Sequence, residues 1–170
     1  MVSKKIYIFV GIAGSGKTTL IQKFAEIYAI KKYDILKIMM PYIKKYGSVT
    51  ERNRDILDKV VNEWINSFSR VEFDALEFAE GSFLPKIITA LEGKDIVVIY
   101  CRCPLLLCMK RNKLRSRIVP EHYLRFQSRC KAAFYKKMQK KYHYRLITID
   151  MRKDSQSCLR ELLRAILNLN

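Results

Sequence analysis

Gly11-Ile12-Ala13-Gly14-Ser15-Gly16-Lys17-Thr18 sets two glycines, a lysine and a hydroxyl residue in the spacing G-x-x-x-x-G-K-[ST]. Glycines at such positions let successive backbone N–H groups turn inward around a phosphate, and the positive end of a following helix adds to the attraction. In that arrangement Lys17 reaches the β- and γ-phosphates of a nucleoside triphosphate, and Thr18 offers its hydroxyl to Mg²⁺. The expected nucleotide contacts are therefore Gly11, Ala13, Gly14, Ser15, Gly16, Lys17, Thr18 and Thr19, with ATP and Mg²⁺ as cofactors. The mechanism requires a strand before the glycines and a helix after them. Both are predicted: Ile6 to Val10 is a continuous apolar, β-branched run, and a helix from Lys17 places Leu20, Ile21, Phe24, Ile27 and Tyr28 on one face.

Outward from this stretch the chain alternates strands and helices. Tyr33 to Met40 is ambiguous, and Pro41 limits any helix there. Glu51 to Arg70 reads as a helix whose stripe is Ile56, Leu57, Val60, Val61, Trp64, Ile65 and Phe68. Phe73 to Phe78 reads as a strand ending at Glu80-Gly81, a helix follows from Leu84 to Leu91, and Asp95 to Cys101 is the strongest strand. Pro104 suits the first turn of a helix running into the basic stretch Lys110–Arg117. Pro120 starts another helix reaching roughly Lys140, on which Arg125, Arg129, Lys136 and Lys140 would share a face. A strand from Tyr144 to Asp150 and a final helix burying Leu159, Leu162, Leu163 and Ile166 complete the pattern. The expected architecture is one α/β domain over residues 1–170, with a five-stranded, mostly parallel sheet flanked by helices.

Length and composition agree with that. The 170 residues suit one domain, 49% are hydrophobic, and six glycines with four prolines exclude collagen-like and low-complexity classes. No apolar run approaches the ~20 residues of a membrane span. The apolar run near the amino terminus is shorter than the ~7–15 residues of a signal-peptide core, so the expected localisation is cytoplasmic. The five cysteines lack the spacing of a structural zinc site, and His122 and His143 stand apart from them; the cysteines are expected to be reduced and packed as small hydrophobes. Charge is the unusual feature: 33 Lys and Arg against 16 Asp and Glu give +17. Between Arg102 and Arg145 there are fourteen Lys or Arg and one acid, Glu121, a local net of +13. Such a field draws polyanions and raises their on-rate.

The absence of an N-K-x-D base-reading motif argues against a GTPase, and an arginine run after the fourth strand is similar to the lid of the P-loop kinases. Arg111-Asn112-Lys113-Leu114-Arg115-Ser116-Arg117-Ile118-Val119-Pro120, followed by Leu124-Arg125, resembles the lid and following helix of polynucleotide 5′-hydroxyl kinases. Asp34-Ile35-Leu36-Lys37 resembles that family's Asp-x-x-Arg, and Glu80-Gly-Ser-Phe-Leu-Pro85 its acid-led segment. The sequence departs from the pattern where Lys37 stands for an arginine and Glu80 for an aspartate, and the expectation is the kinase half alone, without the phosphatase domain of the bifunctional members.

The resemblance implies a P-loop NTPase fold with a basic lid at about 111–120 and a role for each of these groups. Asp34 would be the general base, and Lys37 and Glu80 would hold the acceptor, with Glu80 beside Thr18 also serving the metal. Arg115 would meet the transferring phosphoryl group, Arg111 and Arg117 would close the lid, and Arg152 would cover the purine. Arg125 and Arg129 would follow a nucleic-acid backbone, and tyrosines 123, 135, 142 and 144 could stack bases. The expected reaction is transfer of the γ-phosphate of ATP to a hydroxyl of a nucleic acid, with the 5′-hydroxyl of a polynucleotide foremost. The alternatives are a nucleotide or small-metabolite kinase of the same fold, and a nucleic-acid-stimulated ATPase without an acceptor. The expected partner is thus a nucleic acid or nucleotide substrate, with no membrane; the sequence leaves oligomeric state open.

Overall fold

The computed structural model describes residues 5–33, 36–46, 54–116 and 118–169. Five strands, β1 (Lys5–Val10), β2 (Lys32–Tyr33), β3 (Ala75–Phe78), β4 (Asp95–Arg102) and β5 (Arg145–Asp150), form one sheet in the order β2-β3-β1-β4-β5. Every pairing is parallel, as the alternation of strands and helices predicted. In register, Val10 stands opposite Phe78 on one side and Tyr100 on the other. The chain leaves β1 for an edge strand and later returns to the opposite side, so the carboxyl end of β1 is the switch point where open α/β sheets gather ligands. The glycine-rich turn emerges there.

Strand alternation divides the core. Ile6, Ile8, Val10, Leu76, Phe78 and Val98 point to one layer, packed by Trp64, Leu57 and Val60. Phe9, Ala75, Val97, Ile99 and Ile147 point to the other, packed by Leu20, Ile21, Phe24 and Leu162. Helix α1 (Lys17–Tyr28) buries Leu20, Ile21 and Phe24 but leaves Ile27 and Tyr28 exposed. Helix α3 (Arg54–Asn66) carries the predicted stripe from Ile56 to Ile65 but ends short of Arg70, leaving Phe68 in the turn that follows; residues 51–53 lie outside the described residues. Trp64, only 1% exposed, meets Tyr33, Phe68 and Phe78 at ring-centroid distances of 6.1, 5.3 and 6.2 Å. Trp64→Ala is expected to cost about 3–5 kcal/mol of stability, measured by urea unfolding followed by circular dichroism.

Two helices differ from expectation. Helix α2 (Leu36–Tyr46) contains Pro41 in its interior. The missing N–H does not stop the helix, because Met39, Tyr42 and Ile43 pack against the core on either side of the proline. The single helix expected from Pro120 to Lys140 is two, α6 (Glu121–Gln127) and α7 (Ala132–Tyr142). An unbroken helix from Glu121 to Tyr142 would be about 33 Å long, longer than β4, whose eight residues span about 26 Å. The Ser128 hydroxyl donates to the Arg125 carbonyl, competing with helical bonding, and Lys131 restarts the chain in extended geometry. The break brings Cys130 and Tyr135 tightly around Gly81, where an added Cβ would lie 2.9 Å from Cys130 Cβ and 2.3 Å from Tyr135 Oη. It also separates the expected basic row: Arg125 and Arg129 belong to the α6 side, Lys136 and Lys140 to α7.

Helix α4 (Leu84–Ala90) precedes β4, α5 (Leu105–Lys113) follows it, and α8 (Ser155–Leu167) closes the chain. Asp154 starts α8 by accepting from the backbone N–H groups of Gln156 and Ser157. Among the described residues no helix is long and apolar enough to cross a membrane.

Candidate active site

Gly14 and Gly16 have φ of +82° and +94°, a region that side chains rarely occupy, and a Cβ on Gly14 would lie 2.6 Å from the Cys108 carbonyl oxygen. These two glycines shape the turn between β1 and α1. Gly16 is the N-cap of α1 and supplies no side-chain cap, so the amino end of the helix faces the turn with its N–H groups. The Ala13 N–H, in contrast, already donates to Gln127 Oε1 at 2.9 Å, a bond that ties the turn to α6. Gln127 is buried, and nothing in its sequence neighbourhood announced that role.

Lys17 is 7% exposed, and its ammonium donates to the Ile12 carbonyl at 3.4 Å. Burial pulls its pKa below the ordinary lysine value, Glu77 opposes that shift, and the charge of Arg115 adds to it. Thr18 Oγ1 donates to Glu77 Oε2 at 3.0 Å, while Glu77 Oε1 accepts from Lys32 Nζ at 2.6 Å. Glu77 was missed because it sits third in the short strand Ala75-Leu-Glu-Phe78 and reads as an outward polar residue. Register explains its position: it pairs with Phe9 and points to the sheet face packed by α1, toward Thr18.

The expected metal residues were Thr18 and Glu80, and the structure adds a further carboxylate, Glu77, to the residues that could serve a metal. Glu80 is 4% exposed and accepts from Ser82 Oγ at 2.5 Å and Tyr123 Oη at 3.3 Å. The carboxylate beside the Thr18 hydroxyl belongs to Glu77. Thr18 and Glu77 together are hard oxygen donors suited to Mg²⁺, which takes one or two protein ligands and completes its shell with water and phosphate. No group of three or more His, Cys, Asp or Glu assembles a metal site among the described residues. Glu77→Gln is expected to raise the Mg²⁺ concentration for half-maximal activity and to lower kcat about 100-fold, measured by Mg²⁺ titration at saturating ATP.

Arg111, in the last turn of α5, joins three segments. Its Nη1 donates to the Ser15 carbonyl at 3.2 Å and approaches Cys103 Sγ at 3.7 Å, and its Nη2 donates to the Met151 carbonyl at 3.1 Å. Next to it, Asn112 donates to the Val119 carbonyl at 2.7 Å and accepts from the Val119 N–H at 3.0 Å. That two-way bond closes the base of the loop carrying Arg115, whose exposed side chain is near enough to influence Lys17.

The other expected residues are placed differently. Arg152 pairs with Asp150 at 2.5 Å, and the resulting hydrogen bonds hold the Asp150 carboxyl well below the usual carboxylate range. Arg125 pairs with Glu121 at 2.6 Å, and the Arg129 guanidinium lies 5.0 Å from the Phe126 ring centroid. Both are exposed, on the flank of α6 and just beyond its end. Tyr135 and Tyr144 are core residues, joined by a bond from the Tyr144 hydroxyl to the Tyr135 carbonyl at 2.6 Å. Thr19 is exposed on the first turn of α1. Asp34 and Arg117 lie outside the described residues, as does the side chain of Lys37.

Solved structures with the same architecture are P-loop kinases. A gluconokinase from Sinorhizobium meliloti 1021 superposes with a TM-score of 0.70 at 14% identity, covering 98% of this chain and 93% of its own. A shikimate kinase from Acinetobacter baumannii gives 0.68 at 21% identity, covering 99% and 96%. A deoxyadenosine kinase from M. mycoides gives 0.67 at 16% identity, covering 98% and 100%. No protein-family model matches the sequence, and no curated protein is similar to it by sequence. The chain therefore has the P-loop α/β fold of these kinases along its whole described length.

Proposed function

We propose that the chain is an ATP- and Mg²⁺-dependent kinase that phosphorylates a hydroxyl of a nucleotide or another small metabolite. The observation that carries the reading is the convergence of buried Lys17 with the Thr18–Glu77 contact at the switch point of the sheet. Phosphoryl transfer asks little covalent chemistry of a protein and much positioning and charge neutralisation. Lys17 and the backbone of Gly14 to Thr18 would hold the β- and γ-phosphates. Thr18 and Glu77 would hold Mg²⁺, which would supply positive charge to offset that of the phosphates. Arg111 would steady the turn through the Ser15 carbonyl, and Arg115 would meet the γ-phosphoryl group from the loop above. Asp34 is proposed to accept the proton of the acceptor hydroxyl, with Lys37 and the buried Glu80 on the acceptor side. Glu80 would act there through the hydrogen-bonded set it forms with Ser82 and Tyr123.

Support for a small acceptor comes from the neighbours, whose names are those of kinases for gluconate, shikimate and deoxyadenosine and whose lengths this chain matches. One observation favours a polynucleotide acceptor as a second reading: Lys131, Lys136, Lys137, Lys140 and Lys141 are all exposed on and beside α7. The deciding experiment offers γ-labelled ATP with nucleosides, mononucleotides, sugar acids and 5′-hydroxyl oligonucleotides. Label on a small acceptor supports the main reading, and label confined to oligonucleotides supports the second. Release of phosphate with every acceptor unlabelled would reject both in favour of an ATPase.

A further inference from the structure

Cys103 and Cys108 hold a special relation to α5. Pro104 is its N-cap and Leu105 its first residue, so Cys103 immediately precedes the cap and Cys108 is the fourth residue in. Side chains at these two positions meet across the first helical turn, where a pair of apolar residues commonly fixes the entry of the chain. Here the pair consists of two thiols, and it touches the phosphate-binding turn from behind. The Cys108 carbonyl abuts Gly14, and Arg111 Nη1 spans from Cys103 Sγ to the Ser15 carbonyl. Although Cys103 is 7% exposed, it lines a cavity of about 320 Å³ shared with Gly11, Tyr100, Gln127 and Lys131. That is ample room for a molecule of peroxide, which is little larger than the water that needs ~30 Å³.

We infer that Cys103 and Cys108 form a peroxide-responsive pair whose disulfide loosens the phosphate-binding turn and weakens ATP binding. The Cys103 thiolate attacks one oxygen of hydrogen peroxide; the O–O bond breaks, hydroxide leaves and is protonated to water, and Cys103 becomes a sulfenic acid. Cys108 then attacks that sulfur, the S–O bond breaks as the S–S bond forms, and the Cys108 proton departs with the oxygen as a second water. Two thiols and one peroxide give one disulfide and two waters.

The surroundings order these steps. A hydrogen bond from the Cys108 thiol, aided by the charge of Arg111, lowers the Cys103 pKa against burial and Asp150. Donating that bond, together with burial, pushes the Cys108 thiol up. Burial also raises Cys101, to about 12, and Cys130 and Cys158, so Cys103 alone of the five is favoured as the attacking thiolate. Closing the two sulfurs to the ~2.05 Å of a disulfide removes a partner of Arg111 and shifts the turn of α5 that abuts Gly14.

The thiol chemistry stands by itself, while its effect on ATP rests on the reading of the phosphate-binding turn given above. The test treats the full chain with hydrogen peroxide and follows the tryptic peptide from Cys103 to Lys110, which contains both cysteines. Wild type is expected to lose two hydrogens in this peptide, reversibly with dithiothreitol, and to bind a fluorescent ATP analogue about tenfold more weakly. Cys108→Ser should stop at a Cys103 sulfenic acid that dimedone captures, and in Cys103→Ser peroxide should leave ATP affinity unmoved. Oxidation of Cys130 with the 103–108 peptide still carrying two free thiols overturns the inference, as does a disulfide that leaves ATP affinity unchanged. A reduced protein that binds no ATP but forms the disulfide overturns the nucleotide reading and upholds the thiol pair, so the two failures are distinguishable.

Discussion

Lys17→Ala is expected to lower kcat for phosphoryl transfer by about 10²–10³-fold, the size of effect that follows loss of one well-placed electrostatic group in a water-poor site. The ammonium is almost wholly enclosed and 3.4 Å from the Ile12 carbonyl, so its charge acts where little water screens it. Stability should change little: removing the side chain loses the packing of its stem and also relieves the desolvation that lowers its pKa. A melting temperature within a few degrees of wild type, measured beside kcat, separates lost chemistry from lost fold. A variant retaining more than a tenth of the rate would remove Lys17 from the mechanism. The same group predicts a pH effect. Its folded pKa lies below the ordinary value of 10.5, so between the two values the unfolded chain binds the extra proton. Its contribution to stability therefore rises with pH through that window. Bound triphosphate should reverse the sign by favouring the charged ammonium, which thermal melts at alkaline pH with and without ATP would detect.

Arg115→Ala is expected to reduce kcat by about 10³-fold, at the lower end of what arginines meeting a transferred phosphoryl group contribute, with the Kd for ATP nearly unchanged. Arg115 is exposed, so its loss should alter stability by less than about 0.5 kcal/mol. Its charge nevertheless acts on Lys17 across the site. Arg115→Lys should recover only part of the rate, because an ammonium cannot span two phosphate oxygens as a guanidinium does. Single-turnover kinetics with saturating ATP would check this, and a loss of less than tenfold would assign Arg115 to the surface.

Most of the fold was legible because the chain states it locally. The β-branched run Ile6–Val10, the α3 stripe and the strand Asp95–Arg102 each match one structural period and no other. The glycine-rich turn was legible for the same reason: Gly14 and Gly16 fall where the turn between β1 and α1 needs positive φ. The errors arose where distant residues decide. Helices α6 and α7 read as one because both carry a helical period, and only the length of the sheet and the packing around Gly81 require a break. Glu77 was overlooked because its place beside Thr18 depends on the pairing of β3 with β1, which no local pattern states. Gln127 could not be identified from sequence at all, since its function is one hydrogen bond to a residue 114 positions away.

The bond that Asn112 makes to both backbone groups of Val119 sets a reach. With its ends held together, the intervening chain of six residues has about 27 Å of contour to go out and come back, so its tip can stand no more than ~13 Å from the base. A tether that short can fold over a terminal phosphate group but cannot encircle a duplex. If Arg115 meets the transferred group as proposed, that group must lie within this short reach of the end of α5.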